Sequence, residues 1–315
     1  MSTFRRVVRT RALVALVAAL VLPASACGSS DDDGFRATAT VAADHPVALV
    51  AEPDGSVLYA ERLSGDVRRL GADDTPDPDP VAHVDTVGSE SDQRGLVGLA
   101  RASGGELYAT WVRADDRRLV VGRIDGDEPV VIWEGPASSD LANGGTLLVA
   151  PDGRLVVGIG DLQQDRALAD DPTVANRKVL SLDPAGPPSQ TPEVLSTGWN
   201  NPFALAYDDE GVLWVADNSP GDQPERIGRG DAPAEEATDL PTDEGEAAPS
   251  ALVALGGGHL GRCGFLTGRL DAVDVRDGTP RLEGLVVAEP CRTGAALRSD
   301  GRIVTAADDQ LIVFG

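Results

Sequence analysis

The chain has 315 residues, with 51 acidic and 27 basic side chains and a formal charge of −24. That acidity, with no basic stripe to offset it, argues against a nucleic-acid partner, because phosphate would be repelled. The 36 Gly, 22 Pro, single Met and single Lys (Lys178) argue against a helical bundle, and three Cys are too few for a disulfide scaffold or a zinc site.

The first predicted element is an export signal. Arg5, Arg6, Arg9 and Arg11 precede an apolar run from Ala12 to Leu22, followed by Pro23-Ala24-Ser25-Ala26-Cys27. A positive start, an apolar stretch and small residues at the cleavage point describe a secretory signal over residues 1–26. The run is too short for a bilayer span, which needs roughly 20 residues. Small residues directly before Cys27 resemble a bacterial lipobox, with Ala24 where such boxes usually carry Leu. That resemblance implies lipidation of Cys27 and anchoring on the outer face of the cytoplasmic membrane; ordinary secretion is the alternative. Residues 27–40 then form a flexible, charged tether ahead of a domain at 41–315. Removing the signal takes away four Arg and no acid, leaving a formal charge of about −28. Only acyl chains should then touch the membrane.

With Cys27 lipidated, Cys263 and Cys291 remain in an oxidising compartment, where two leftover Cys are expected to pair. The bridge would close a loop of roughly 28 residues and contribute on the order of 3 kcal/mol.

Five segments share one form, a Gly turn followed by an alternating apolar strand: PDGSVLYAE (53–61), SGGELYATW (103–111), PDGRLVVGIGD (151–161), DEGVLWVADN (209–218) and SDGRIVTAAD (299–308). Their glycines Gly55, Gly105, Gly153, Gly211 and Gly301 are spaced by 50, 48, 58 and 90, and the last gap leaves room for a degenerate sixth unit at Leu255 to Val275. Six units of about 47 residues match the size of a four-stranded propeller blade. The predicted fold is therefore an all-β, six-bladed β-propeller of four-stranded antiparallel blades. A sandwich would explain the strands but not the interval. Helix is expected only within Gln164 to Lys178.

Three blocks carry a family resemblance: Arg94 to Ala100 (RGLVGLA), Asn143 to Asp161 (NGGTLLVAPDGRLVVGIGD) and Gly198 to Asn218 (GWNNPFALAYDDEGVLWVADN). In order and spacing the chain resembles the soluble quinoprotein glucose/sorbosone (aldose sugar) dehydrogenases. The resemblance implies a propeller whose top cleft holds pyrroloquinoline quinone (PQQ) and calcium. There a His takes the proton of the anomeric hydroxyl, a carboxylate orients that His, and an Arg stabilises the charge that builds on the quinone.

Carried over residue by residue, those roles fall unevenly. The His position is Ala142 and the Arg position is Asn200, while the carboxylate is kept as Asp161 and the cofactor-contacting Asn as Asn201. The calcium loop reads Asp217-Asn218-Ser219-Pro220, so Ser219 and Pro220 would supply the carbonyl ligands. Arg269 and Arg292 are the candidates for gripping the quinone carboxylates. Among the remaining His, His45 and His83 read as surface or blade residues, and His259, in a Gly-rich loop, is the candidate replacement base. Asp161 without its His reads as a turn or capping carboxylate. Ser219 to Ser250, rich in acids and Pro, reads as a mobile loop over the top face. Asp73 to Pro80 reads as an inter-strand loop.

The reading that follows is a surface-anchored propeller that has lost quinone catalysis and binds a carbohydrate, cell-wall fragment or protein at the top cleft. The alternatives are a working quinoprotein with a displaced base and a purely structural docking lipoprotein.

Overall fold

The computed structural model describes residues 35–219, 224–240, 246–288 and 290–315. The signal segment, Cys27 and Pro220 lie outside them.

Period-2 apolar residues give strands that bury one or both faces, and tight Gly turns connect them. The five repeat glycines all adopt left-handed φ, between +78° and +98°, a conformation that carries no Cβ penalty only for Gly. Six four-stranded antiparallel sheets result, as expected. The inner strands, one per blade, are Pro46–Ala51, Leu96–Arg101, Gly144–Val149, Ala204–Tyr207, Pro249–Gly256 and Gly294–Leu297. In the last blade the outer strand is Ala37–Ala42, paired antiparallel with Gln310–Phe314. The sheet thus begins inside the stretch 27–40 expected to be tether, because alternating Ala, Thr and Val there can pair with the C-terminal strand.

The core is divided among the blade interfaces. Each of six buried apolar clusters joins two neighbouring blades, and the one uniting Val57 and Tyr59 with Val304 and Val313 closes the last blade on the first. Within the loop 73–80, Asp74 accepts hydrogen bonds from Arg298 and from Arg302 (2.8 Å), a second tie across that seam.

The acidic stretch 219–250 departs from expectation. Residues Arg226–Arg229 and Thr238–Asp239 are the outer strands of the fourth blade, with a 3₁₀ turn at Ala234–Glu236 between them. Ile227, Ala234 and Leu240 are buried among Trp199 and Trp214, so a few apolar anchors order a mostly charged segment. The short helix is found as a 3₁₀ turn at Arg166–Asp170, capped by the Asp165 side chain.

Candidate functional site

All inner strands start at the same end of the ring and run to the Gly turns at the other. At the starting end, the segments leading into inner strands and the loops between second and third strands surround a cavity of about 600 Å³. That volume suits a small polar ligand or a short saccharide. Val47, Val97, Phe203, Ser250 and Thr293 also line a second cavity of about 250 Å³ between the inner strands, so the floor continues inward along a largely apolar wall.

Of the sequence-derived candidates, Asn201 and Arg292 line the cavity. Asn201 is buried and fixed from two sides. Its N–H donates to Asp217 (2.7 Å) and its side-chain oxygen accepts from the Gly144 N–H (3.0 Å), which joins the third and fourth blades. Asp217, fully buried, also accepts from the Asn200 N–H (2.9 Å) and from Arg226 (2.5 Å). The Asn200 amide donates to the Asn218 carbonyl (2.9 Å). Arg292 donates to the Phe265 carbonyl (2.6 Å), and its neighbour Cys291 is disulfide-bonded to Cys263, with Cα atoms 5.2 Å apart. The expected bridge is present and pins the segment that carries Arg292.

The other candidates lie elsewhere. Asp161 accepts from the Gln163 N–H (2.7 Å) and stands 3.8 Å from the Arg177 guanidinium. Burial pushes Arg177 below the usual arginine range, with Asp161 and Asp217 opposing that effect. Ala142, in left-handed φ of +55°, donates its N–H to Gln93 (2.7 Å) and accepts at its carbonyl from Leu162 (3.0 Å). Arg269 is absent from the cavity lining and ion-pairs with Asp271 (3.4 Å). Ser219 is buried in the loop after Leu213–Asp217, and its hydroxyl has no hydrogen-bond partner among the described residues.

His259 does not serve as a replacement base, because it occupies the wrong end of the ring. It pairs with Gly256 at the last position of Pro249–Gly256, whereas Pro249 and Ser250 line the cavity. Seven strand steps separate the two ends, about 23 Å. The His259 Nε2 lies instead 3.1 Å from the Glu283 carboxylate.

The histidine at the cavity is His45, which sequence reasoning left on the surface. Its ring nitrogen Nδ1 lies 2.6 Å from Asp44, and its backbone is left-handed at φ +49°. His45 donates its N–H to the Asp308 carbonyl (3.1 Å) and accepts at its own carbonyl from the Arg62 N–H (3.1 Å). One signal for it was present: His45 directly precedes an inner strand, as Asn143 does. Arg62, also at the cavity, donates through Nη1 to the carbonyls of Ser89, Asp92 and Arg94 (3.2, 2.9 and 2.8 Å). Burial lowers its pKa, with Asp92 and Glu90 opposing. The lining also includes four acidic residues: Glu90, Asp92, Asp308 and Asp309.

The sequence pattern of the Glucose / Sorbosone dehydrogenase family matches residues 43–231. The chain belongs to that family. Its fold resembles the PQQ-bound aldose sugar dehydrogenase of Streptomyces coelicolor at 21% identity and TM-score 0.71, over 89% of this chain and 97% of that one. It also resembles the apo-form aldose sugar dehydrogenase of Escherichia coli at 18% identity and TM-score 0.67, over 88% and 99%. A streptogramin B lyase is similar at 14% identity and TM-score 0.54, over 91% and 99%, so the ring alone does not fix the chemistry. No curated protein matches the chain.

A glucose/sorbosone dehydrogenase that used PQQ would hold a tricarboxylate. The lining of this cavity does not fit that group: four acidic residues outnumber the two guanidinium groups, and neither Ala142 nor Asn200, which the resemblance puts at the base and Arg positions, is among the lining residues.

Proposed function

We propose that this member of the glucose/sorbosone dehydrogenase family is an exported, lipid-anchored protein that binds a carbohydrate at the cavity without oxidising it through a quinone. The observation that carries the reading is Ala142 with its surroundings. Even the retained carboxylate, Asp161, is engaged by Arg177 and by the Gln163 N–H. Loss of a general base typically costs about 10²–10⁴ in rate, and loss of a charge-stabilising donor about another 10²–10³. A binding role remains well supported. Carboxylates accept from sugar hydroxyls, and Phe203 and Phe265 offer apolar faces to the C–H side of a pyranose.

The test uses the calcium-loaded protein. PQQ added in a titration followed by absorbance is expected to remain in its free form, and aldoses with an artificial electron acceptor are expected to give no turnover. Aldose oxidation dependent on added PQQ overturns the proposal. Anchoring is tested by Cys27→Ala, which is expected to release the protein from membranes into the medium; retention on the membrane counts against it.

A second reading is favoured by one observation, the His45–Asp44 pair at the cavity. In it the protein is a working quinone-dependent sugar dehydrogenase whose base is His45, oriented by Asp44. Turnover that disappears in His45→Gln while the fold stays intact would select this reading over the first.

A further inference from the structure

The fifth-blade side of the cavity is held by one carboxylate of the fourth blade. Glu225, immediately before the strand Arg226–Arg229, is 6% exposed and does not line the cavity. Its two oxygens accept from consecutive amides, the N–H of Ala247 (3.0 Å) and that of Ala248. The carbonyls of the same two residues accept from the N–H groups of Leu266 (3.0 Å) and Phe265 (2.9 Å). The Phe265 carbonyl in turn holds the Arg292 guanidinium (2.6 Å). Ala248, Phe265 and Arg292 all line the cavity, so one buried side chain sets three wall positions from across a blade interface.

Two features set this clasp apart from ordinary packing. A buried carboxylate is a costly junction between blades, because taking the charge out of water offsets much of what its hydrogen bonds contribute. Burial pushes the Glu225 pKa up, opposed by the Ala248 and Ala247 amides and by Arg262, with Glu246 adding to the rise. Arg262 is itself 1% exposed, and its Nε and Nη1 have no hydrogen-bond partner among the described residues. The second feature is Ala248, held in left-handed φ at +51°, a conformation unfavourable for a residue with a Cβ. Such strain persists only where the surroundings impose it, and it collects where a site is being shaped.

We propose that Glu225 is a positioning residue for the ligand: it does not touch the sugar but sets Ala248, Phe265 and Arg292 where the sugar meets them. The inference rests on the carbohydrate reading above. Without both bonds, Ala248 relaxes from its left-handed conformation and the wall moves with it.

Glu225→Gln keeps the shape and removes one of the two acceptors. Hydrogen exchange in the full exported chain is expected to quicken about tenfold at the amides of Ala247, Ala248, Phe265 and Leu266, with the first three blades unchanged. Glucose, xylose and cellobiose are titrated calorimetrically, and those that the unmodified protein binds are expected to bind the variant about tenfold more weakly. Glu225→Asp keeps the charge beside Arg262 but falls one methylene short of the amides. It is expected to reproduce both effects at a Tm closer to that of the unmodified chain, and it carries the test where the first variant folds poorly. A role in stability alone would quicken exchange throughout the ring and leave the affinity of the folded protein unchanged. That result overturns the inference and leaves the carbohydrate reading intact. Failure of the unmodified protein to bind any of the three sugars overturns both.

Discussion

The Asp161 carboxylate faces the Arg177 guanidinium at 3.8 Å. Arg177 also donates to the Gly198 carbonyl (3.1 Å), so the pair ties the loop after Leu155–Ile159 to the lead-in of the fourth blade. Asp161→Asn leaves a nearly buried guanidinium short of its counter-charge. A loss of about 1–3 kcal/mol is expected. It should read as a Tm lower by several degrees in calorimetry with sugar affinity unchanged; a large loss of affinity at unchanged Tm would contradict the structural role.

Asp217 should matter more. It is fully buried and accepts from Asn200, Asn201 and Arg226 together. Asp217→Asn removes the charge that holds Arg226 and the Asn200–Asn201 turn, at about 3–5 kcal/mol. Both denaturant stability and cavity binding are expected to fall, since Asn201 is set by that turn.

The Cys263–Cys291 bridge closes a 28-residue separation. Its removal by the double substitution to Ala is expected to cost about 3 kcal/mol, and reducing agent should lower the Tm of the unmodified protein to a similar extent. Cavity binding should weaken as well, because Arg292 follows Cys291 directly.

Acid should unfold the ring from about pH 4 downward. The Arg113 guanidinium beside Asp116 holds its carboxyl down at about 2, and hydrogen bonds from Arg229 and Arg302 lower Asp231 and Asp300. The Asp116 carboxyl binds fewer protons in the native than in the unfolded chain between about 2 and 3.8, and Asp231 and Asp300 act in the same direction. The Asp116 contribution is therefore present above 3.8 and lost as pH falls through the native value. Glu225 opposes this weakly, since burial raises its pKa and favours the folded state on acidification. Tm measured from pH 7 to 2 is expected to be flat above about 5 and to drop below about 4. A Tm that rises on acidification would show that the buried Glu225 dominates.

Much of the ring was legible because a Gly in left-handed φ recurs at each hairpin, and Gly55, Gly153 and Gly301 announce their blades directly. The outer strands of the fourth blade were not, since Ile227, Ala234 and Leu240 are too sparse to stand out among acids. The site was half legible. Asn201 and Arg292 follow from the lead-in segments, whereas His259 was misplaced because a Gly-rich turn looks alike at either end of a blade. Gly256 to Gly258 stand at the hairpin between the first and second strands of their blade, and that end of the blade lies away from the cavity. The pairing of Asp161 with Arg177 brings together residues sixteen apart across a loop, a contact that no periodicity encodes.

The strand Ala37–Ala42 runs toward the cavity: Ala42 pairs with Gln310 beside Asp308 and Asp309, and Ala37 pairs with Phe314 at the far side. The polypeptide therefore leaves the ring from the hairpin side.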